Sequence, residues 1–174
     1  MPAPDRIPFV VIGENVHATR AFARQGKNVT TVDGVEVVAF RDASGAERTA
    51  PIAPAIAESS EFAKNKVKHI RNALFLGLGG EGLVPVSLTG EIPAEYAAIG
   101  RDYLVAAALR QERAGAHYID VNVDEMSPDE GIQAVAMEWV VRLLEPALGV
   151  PISLDSSSMA VLETGFRVST KPCG

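Results

Sequence analysis

Carboxylates and amides recur in this sequence where apolar runs give out. Glu14 and Asn15 follow Phe9-Val-Val-Ile12, Asp120, Asn122 and Asp124 lie within or just after His117–Val123, and Asp155 follows Pro151-Ile-Ser-Leu154. An ionised carboxylate can accept from two adjacent N–H donors at once, and an amide can both donate and accept. That chemistry suits holding a flat polar heterocycle. It also suits capping helices, because Asp, Asn and Ser are preferred N-caps. Capping is the better reading of Ser127 and Ser156 to Ser158, while Asp155 stays open between the two.

The elements that must position these groups read as α/β with a parallel sheet. Phe9 to Ile12 is an unalternating apolar run, which suits a strand buried on both faces. Residues 27–54 form an antiparallel excursion: Asn28–Val32, an Asp33-Gly34 turn, Val35–Phe40 and a short third strand over Glu47–Ile52. Ser59 or Ser60 opens a helix through Phe62, Ile70 and Phe75, with Lys64, Lys66, Lys68, His69 and Arg71 on its solvent side and a break at Gly77–Gly82. Glu95–Ala114 is helical, with Gly115 at its C-terminal cap. His117–Val123 is a strand, and Ser127-Pro128-Asp129-Glu130 starts a helix with Ser127 as N-cap. Pro151–Leu154 is the third buried strand and Met159–Gly165 begins the last helix. In parallel α/β folds ligands bind beyond the carboxyl ends of the strands, so three such ends can face one ligand.

Composition narrows the function classes. The 174 residues carry 16 Lys and Arg against 22 Asp and Glu, a net charge of −6, with 47% apolar residues. That excludes a disordered chain and argues against a broad nucleic-acid footprint. No apolar run reaches the roughly 18–20 residues of a membrane span, and no secretory signal is visible. Cys173 is the single cysteine, so intrachain disulfides and thiolate zinc clusters are excluded. A cytoplasmic location is the expectation. Gly77-Leu-Gly-Gly-Glu-Gly82 fits G-x-G-x-x-G, but a helix precedes it and Pro85 follows, so it reads as a flexible loop. His117 packs or caps more readily than it ligates, and Met137 and Trp139 are core or near-core helix residues. Metal binding through Glu14, His17 and Asp155 is conceivable but unsupported by their spacing.

Ala114-Gly-Ala-His-Tyr-Ile-Asp-Val-Asn-Val-Asp-Glu125, followed by Val150-Pro-Ile-Ser-Leu-Asp-Ser-Ser-Ser158, resembles the pterin-binding domain family. Within it the chain is most similar to the folate domain of cobalamin-dependent methionine synthase and to methyltetrahydrofolate:corrinoid methyltransferases. Ile12-Gly-Glu-Asn-Val-His17 is similar to the family's first-strand Gly-Glu-Arg-Ile-Asn motif, and dihydropteroate synthase is a more distant relative. The resemblance covers about residues 8–20 and 94–167 and implies a (β/α)8 TIM barrel with pterin in its C-terminal mouth. It implies substrate-binding roles for Asp155, which bonds the pterin ring, for Asn122 and Asp120 of a second-strand Asp-x-Asn motif, and for Glu14.

The implied reaction moves a methyl group from N5 of methyltetrahydrofolate to a corrinoid (cobalamin) on a partner protein or domain. No catalytic residue and no metal in this domain is assigned. Two positions depart from the family: Asn15 replaces Arg, and His17, read as a surface loop histidine, replaces Asn. Residues 21–93 read as a hairpin-plus-helix insertion after strand 1, over or beside the mouth. Because an eight-stranded barrel takes about 250 residues, only the N-terminal three β/α units are expected in residues 1–174, inactive on their own. The expected partners are a pterin and a corrinoid protein, with a homodimer left open, and neither nucleic acid nor membrane. A dihydropteroate synthase-like condensing enzyme and a non-catalytic pterin-binding remnant are the alternatives.

Overall fold

The computed structural model describes residues 9–171, so Cys173 and the first eight residues lie outside the described part. The strands are β1 (Ile12–His17), β2 (Phe22–Ala23), β3 (Val29–Val32), β4 (Val35–Arg41), β5 (Glu47–Pro51), β6 (Lys66–Val67), β7 (Tyr118–Asn122) and β8 (Ile152–Asp155). The helices are α1 (Pro54–Ala57), α2 (Ser60–Ala63), α3 (His69–Gly80), α4 (Val86–Thr89), α5 (Tyr96–Arg113), α6 (Glu130–Leu144) and α7 (Met159–Val168), with a 3-10 turn at Asp124–Met126. Three sheets result: parallel β1-β7-β8, antiparallel β3-β4-β5 and the short pair β2-β6. A parallel sheet with helices is compatible with part of a pterin-binding, TIM-barrel-like domain. No helix among the described residues is long and apolar enough to cross a membrane.

The parallel sheet has one apolar and one polar face, where an apolar run buried on both faces was expected. Register pairs Ile119 with Ile152, Asp120 with Ser153, Val121 with Leu154 and Asn122 with Asp155. Side chains alternate along a strand, so the four apolar residues share the face packed on the helices, and the four polar ones share the other. Gly165 of α7 sits where any side chain would strike Leu154 and Met137, which shows how closely the apolar face is covered. The first strand also shifts. β1 starts at Ile12 and includes Glu14 to His17, whereas Phe9, Val10 and Val11 are exposed. Glu14 and Asn15 therefore lie inside the strand rather than behind it.

The single helix expected from Ser59 to Phe75 is two helices. Ser59 Oγ does accept from Phe62 N, but α2 ends at Ala63, and Asn65 adopts a positive φ of 63°. Lys66–Val67 then pairs with Phe22–Ala23 before α3 begins. His69, expected toward solvent, is buried instead, stacked on Phe22 with centroids 3.8 Å apart and bonded through Nδ1 to Tyr103 Oη at 2.9 Å. Lys68 is likewise no solvated lysine, since its Nζ bonds Glu125 at 2.8 Å and the Thr19 carbonyl at 3.1 Å. At the start of α6 the N-cap is Asp129, whose carboxylate accepts from Gly131 N at 2.8 Å. Ser127 instead accepts from Asp129 N, one step earlier.

Gly77 to Gly80 continue α3 instead of forming a loop, and small size explains them. A Cβ on Gly100 of α5 would lie 2.5 Å from both the Ala73 carbonyl and the Gly77 nitrogen, so α3 and α5 cross backbone to backbone. Trp139 of α6 fills the space beside Gly77. Gly100→Ala is expected to destabilise the chain by roughly 1–3 kcal/mol, the usual penalty of overpacking a core. Urea melts of the two proteins at one pH measure it, and equal midpoints would mean the crossing relaxes freely.

The β3-β4-β5 sheet rests on α5, along its flank, rather than over the carboxyl ends of β1, β7 and β8. Phe40 meets Tyr103 with ring centroids 4.8 Å apart, and Arg48 reaches Asp102 at 3.7 Å. Beyond them Arg113 donates to the Ala43 carbonyl at 2.9 Å, next to the amino end of β7. The Asp33-Gly34 turn forms as expected, both residues having positive φ, 49° and 82°.

Candidate functional site

Parallel register brings three strand ends into one row, His17 beside Asn122 and Asn122 beside Asp155. Asn122 Nδ2 donates to Asp155 Oδ2 at 2.9 Å, while its Oδ1 accepts from Asp124 N at 3.0 Å, so the amide is fixed from both sides. His17 Nε2 stands 3.7 Å from Asp155 Oδ2, and its Nδ1 contacts Thr19 Oγ1 at 2.7 Å. The Asp155 side chain is 51% exposed and keeps acceptor capacity facing outward. It makes no bond to the backbone of α7 among the described residues, so the helix-cap reading of Asp155 fails.

One row deeper lie Asp120 and Ser153. Burial pushes the Asp120 carboxyl above the usual range, the neighbouring charge of Asp155 adds to this, and His17 and Ser153 oppose it. Glu14 adds a smaller upward push on Asp120, which places it at the same rim, where it is exposed and without a hydrogen-bond partner among the described residues. This end of the sheet is thus rich in acceptors. Asn15 turns to Arg20, whose Nη2 donates to its Oδ1 at 3.2 Å.

Asp124 does different work from its neighbours. Ser156 Oγ donates to Asp124 Oδ1 at 2.6 Å, and the Ser157 backbone N–H and hydroxyl both donate to Oδ2 at 2.8 Å. Burial alone would raise this carboxyl, but the serine bonds outweigh it and hold it below its ordinary value. Three donors from Ser156 and Ser157 engage both of its oxygens, so it clasps the loop after β8 to the end of β7. Ser156 and Ser157 serve this clasp rather than capping α7, and Ser158 stands at the N-cap position without a side-chain bond.

All four residues expected to bind substrate, Glu14, Asp120, Asn122 and Asp155, come to the carboxyl-terminal end of one sheet. His17 belongs with them as a half-buried strand residue, not a surface loop histidine. Ser153 was also missed, although counting back two from Asp155 along an alternating strand finds it. Among the described residues His17, Asp120 and Asp155 each place one potential ligand atom within 4.8 Å of the others, a different set from Glu14, His17 and Asp155.

Residues 98–171 match the sequence profile of the family described as pterin binding enzyme. That span takes in nearly all of α5 together with β7, α6, β8 and α7, so Asp120, Asn122 and Asp155 fall inside it, and Glu14 and His17 outside. The match supports a pterin-binding enzyme family, which fits the acceptor-rich sheet end. No curated protein and no solved structure matches the chain.

Proposed function

We propose that the carboxyl-terminal end of β1-β7-β8 binds the pterin ring of methyltetrahydrofolate in a methyltransferase that delivers the N5 methyl to a corrinoid protein. The row of Asn122 and Asp155, inside the span that matches pterin binding enzymes, carries this reading. A pterin offers two adjacent donors, its 2-amino group and N3–H, and a carboxylate takes both in parallel. Asn122 orients that carboxylate by donating to one of its oxygens. Asp120 and Ser153 line the layer beneath, and Glu14 and His17 close the side formed by β1.

On this reading residues 8–20 and 94–167 are the barrel-like portion and 21–93 is the insertion. Methyl departure from N5 is eased by hydrogen bonding as charge develops there, so a polar network beside the ring lowers the barrier. The corrinoid, held by a partner protein or domain, supplies the reactive cobalt. Titration calorimetry of the chain with methyltetrahydrofolate tests the binding step, and the absence of saturable binding would remove the proposal. Absorbance changes of a cob(I)amide protein mixed with chain and methyl donor test the transfer.

A further inference from the structure

The strongest unassigned feature lies on the opposite flank of α5, between that helix and the β3-β4-β5 sheet. The cleft there has a volume of about 1040 Å³, at the upper end of small-molecule sites, roughly 300–1,000 Å³. We propose that it is a second binding site, for a small aromatic anion.

Its floor is aromatic and held in place. Phe22 stacks on buried His69, His69 bonds Tyr103, and Tyr103 packs on Phe40, so the rings keep their positions before any ligand arrives. Its rim is cationic: Arg41 and Arg48 come from the sheet, Arg110 and Arg113 from the last turn of α5. Against these four the lining offers two carboxylates, Asp42 and Glu47, so the cleft nets 4 − 2 = +2 in a chain of net charge −6. Arg41 is paired with Glu47 at 2.6 Å, and Arg48 stands 3.8 Å from Asp42 and 3.7 Å from Asp102. Arg113 has only the neutral Ala43 carbonyl, and Arg110 has no hydrogen-bond or ion-pair partner among the described residues.

Cations at a helix C-terminus offset the helix dipole, which accounts for their place in sequence but not for the ring floor beneath them. A guanidinium offers a planar fork to an oxyanion and a flat face to an aromatic ring. Rings below, with the Arg110 and Arg113 guanidiniums above them free of any carboxylate partner among the described residues, fit one ligand class: a flat aromatic body carrying a phosphate or carboxylate. This site is distinct from the pterin reading, because the end of α5 leads into the amino end of β7, while Asn122 and Asp155 stand at the carboxyl ends of their strands.

The test uses the fluorescence anisotropy of 1-naphthyl phosphate, 1-naphthoate and neutral 1-naphthol titrated with the chain. Saturable binding of at least one anion is expected, at least tenfold weaker in R110Q/R113Q and unchanged in D155N. The stronger anion then tells whether phosphate or carboxylate is preferred. Both arginines are exposed, so folding should survive, and circular dichroism checks it. Should the double variant fail to fold, competition on the unaltered chain decides: release of the bound naphthyl anion by inorganic phosphate or by benzoate supports the site, and indifference to both overturns it. Naphthol binding as tightly as both anions, no saturable binding, or loss of binding in D155N overturns it as well. The last result would move the probe to the pterin end and leave that reading standing.

Discussion

Asp155→Asn should weaken binding of methyltetrahydrofolate by about 1–3 kcal/mol, roughly 5- to 150-fold. An ionised carboxylate can accept two parallel N–H bonds from one ligand edge. An amide at the same position can accept only one and turns a donor toward the other. The variant also sets one amide against another, because Asn122 Nδ2 already donates to Asp155 Oδ2. Folding should be little affected, since the Asp155 side chain is half exposed and no helix depends on it. Calorimetric titration of both proteins, with melting curves alongside, separates affinity from stability. Equal affinities would take Asp155 out of the site.

The second large effect concerns stability in acid. Burial holds the His69 imidazole neutral, with its pKa pushed down to about 3, and the charges of Arg20 and Arg110 add to this. In an unfolded chain the same side chain protonates near 6.5. Stability from neutral His69 is therefore complete above that pH, and is lost as pH falls toward about 3, at about 1.4 kcal/mol per pH unit. By pH 4.5 the loss should reach about 2–3 kcal/mol. His69→Gln keeps a polar partner for Tyr103 and removes the titration, so its urea midpoint should change less between pH 7 and pH 4.5. Asp120, whose raised carboxyl works in the opposite direction, is common to both proteins and cancels in the comparison. Parallel pH dependences would show that His69 is not what responds.

Local rules carried the parallel unit well, because its strands and helices obey short-range patterns. The α5, β7 and α6 spans differ from their sequence reading by a residue or two, since Gly115, the apolar alternation and the Pro128 region mark their ends. The shared location of the candidate residues was legible for the same reason: polar residues at strand ends announce a carboxyl-terminal face. What escaped the sequence depended on distant contacts. His69 reads as polar in a lysine-rich stretch, and only Phe22 and Tyr103, far off in the chain, make its burial favourable. The α3 glycines resemble a loop until α5 and α6 press against them. A bulged register in β1 moved Glu14 and His17 from loop to strand, which no periodicity in Phe9–Ile12 could reveal.

The Asp124 clasp has a thermodynamic consequence for any guest at the sheet end. With Ser156 and Ser157 already tethered to it, the β8 exit loop surrenders little freedom when a ligand docks. Association at a rim arranged in advance carries a small ordering penalty, so its selectivity should rest on matching donors to acceptors rather than on closing a flexible segment.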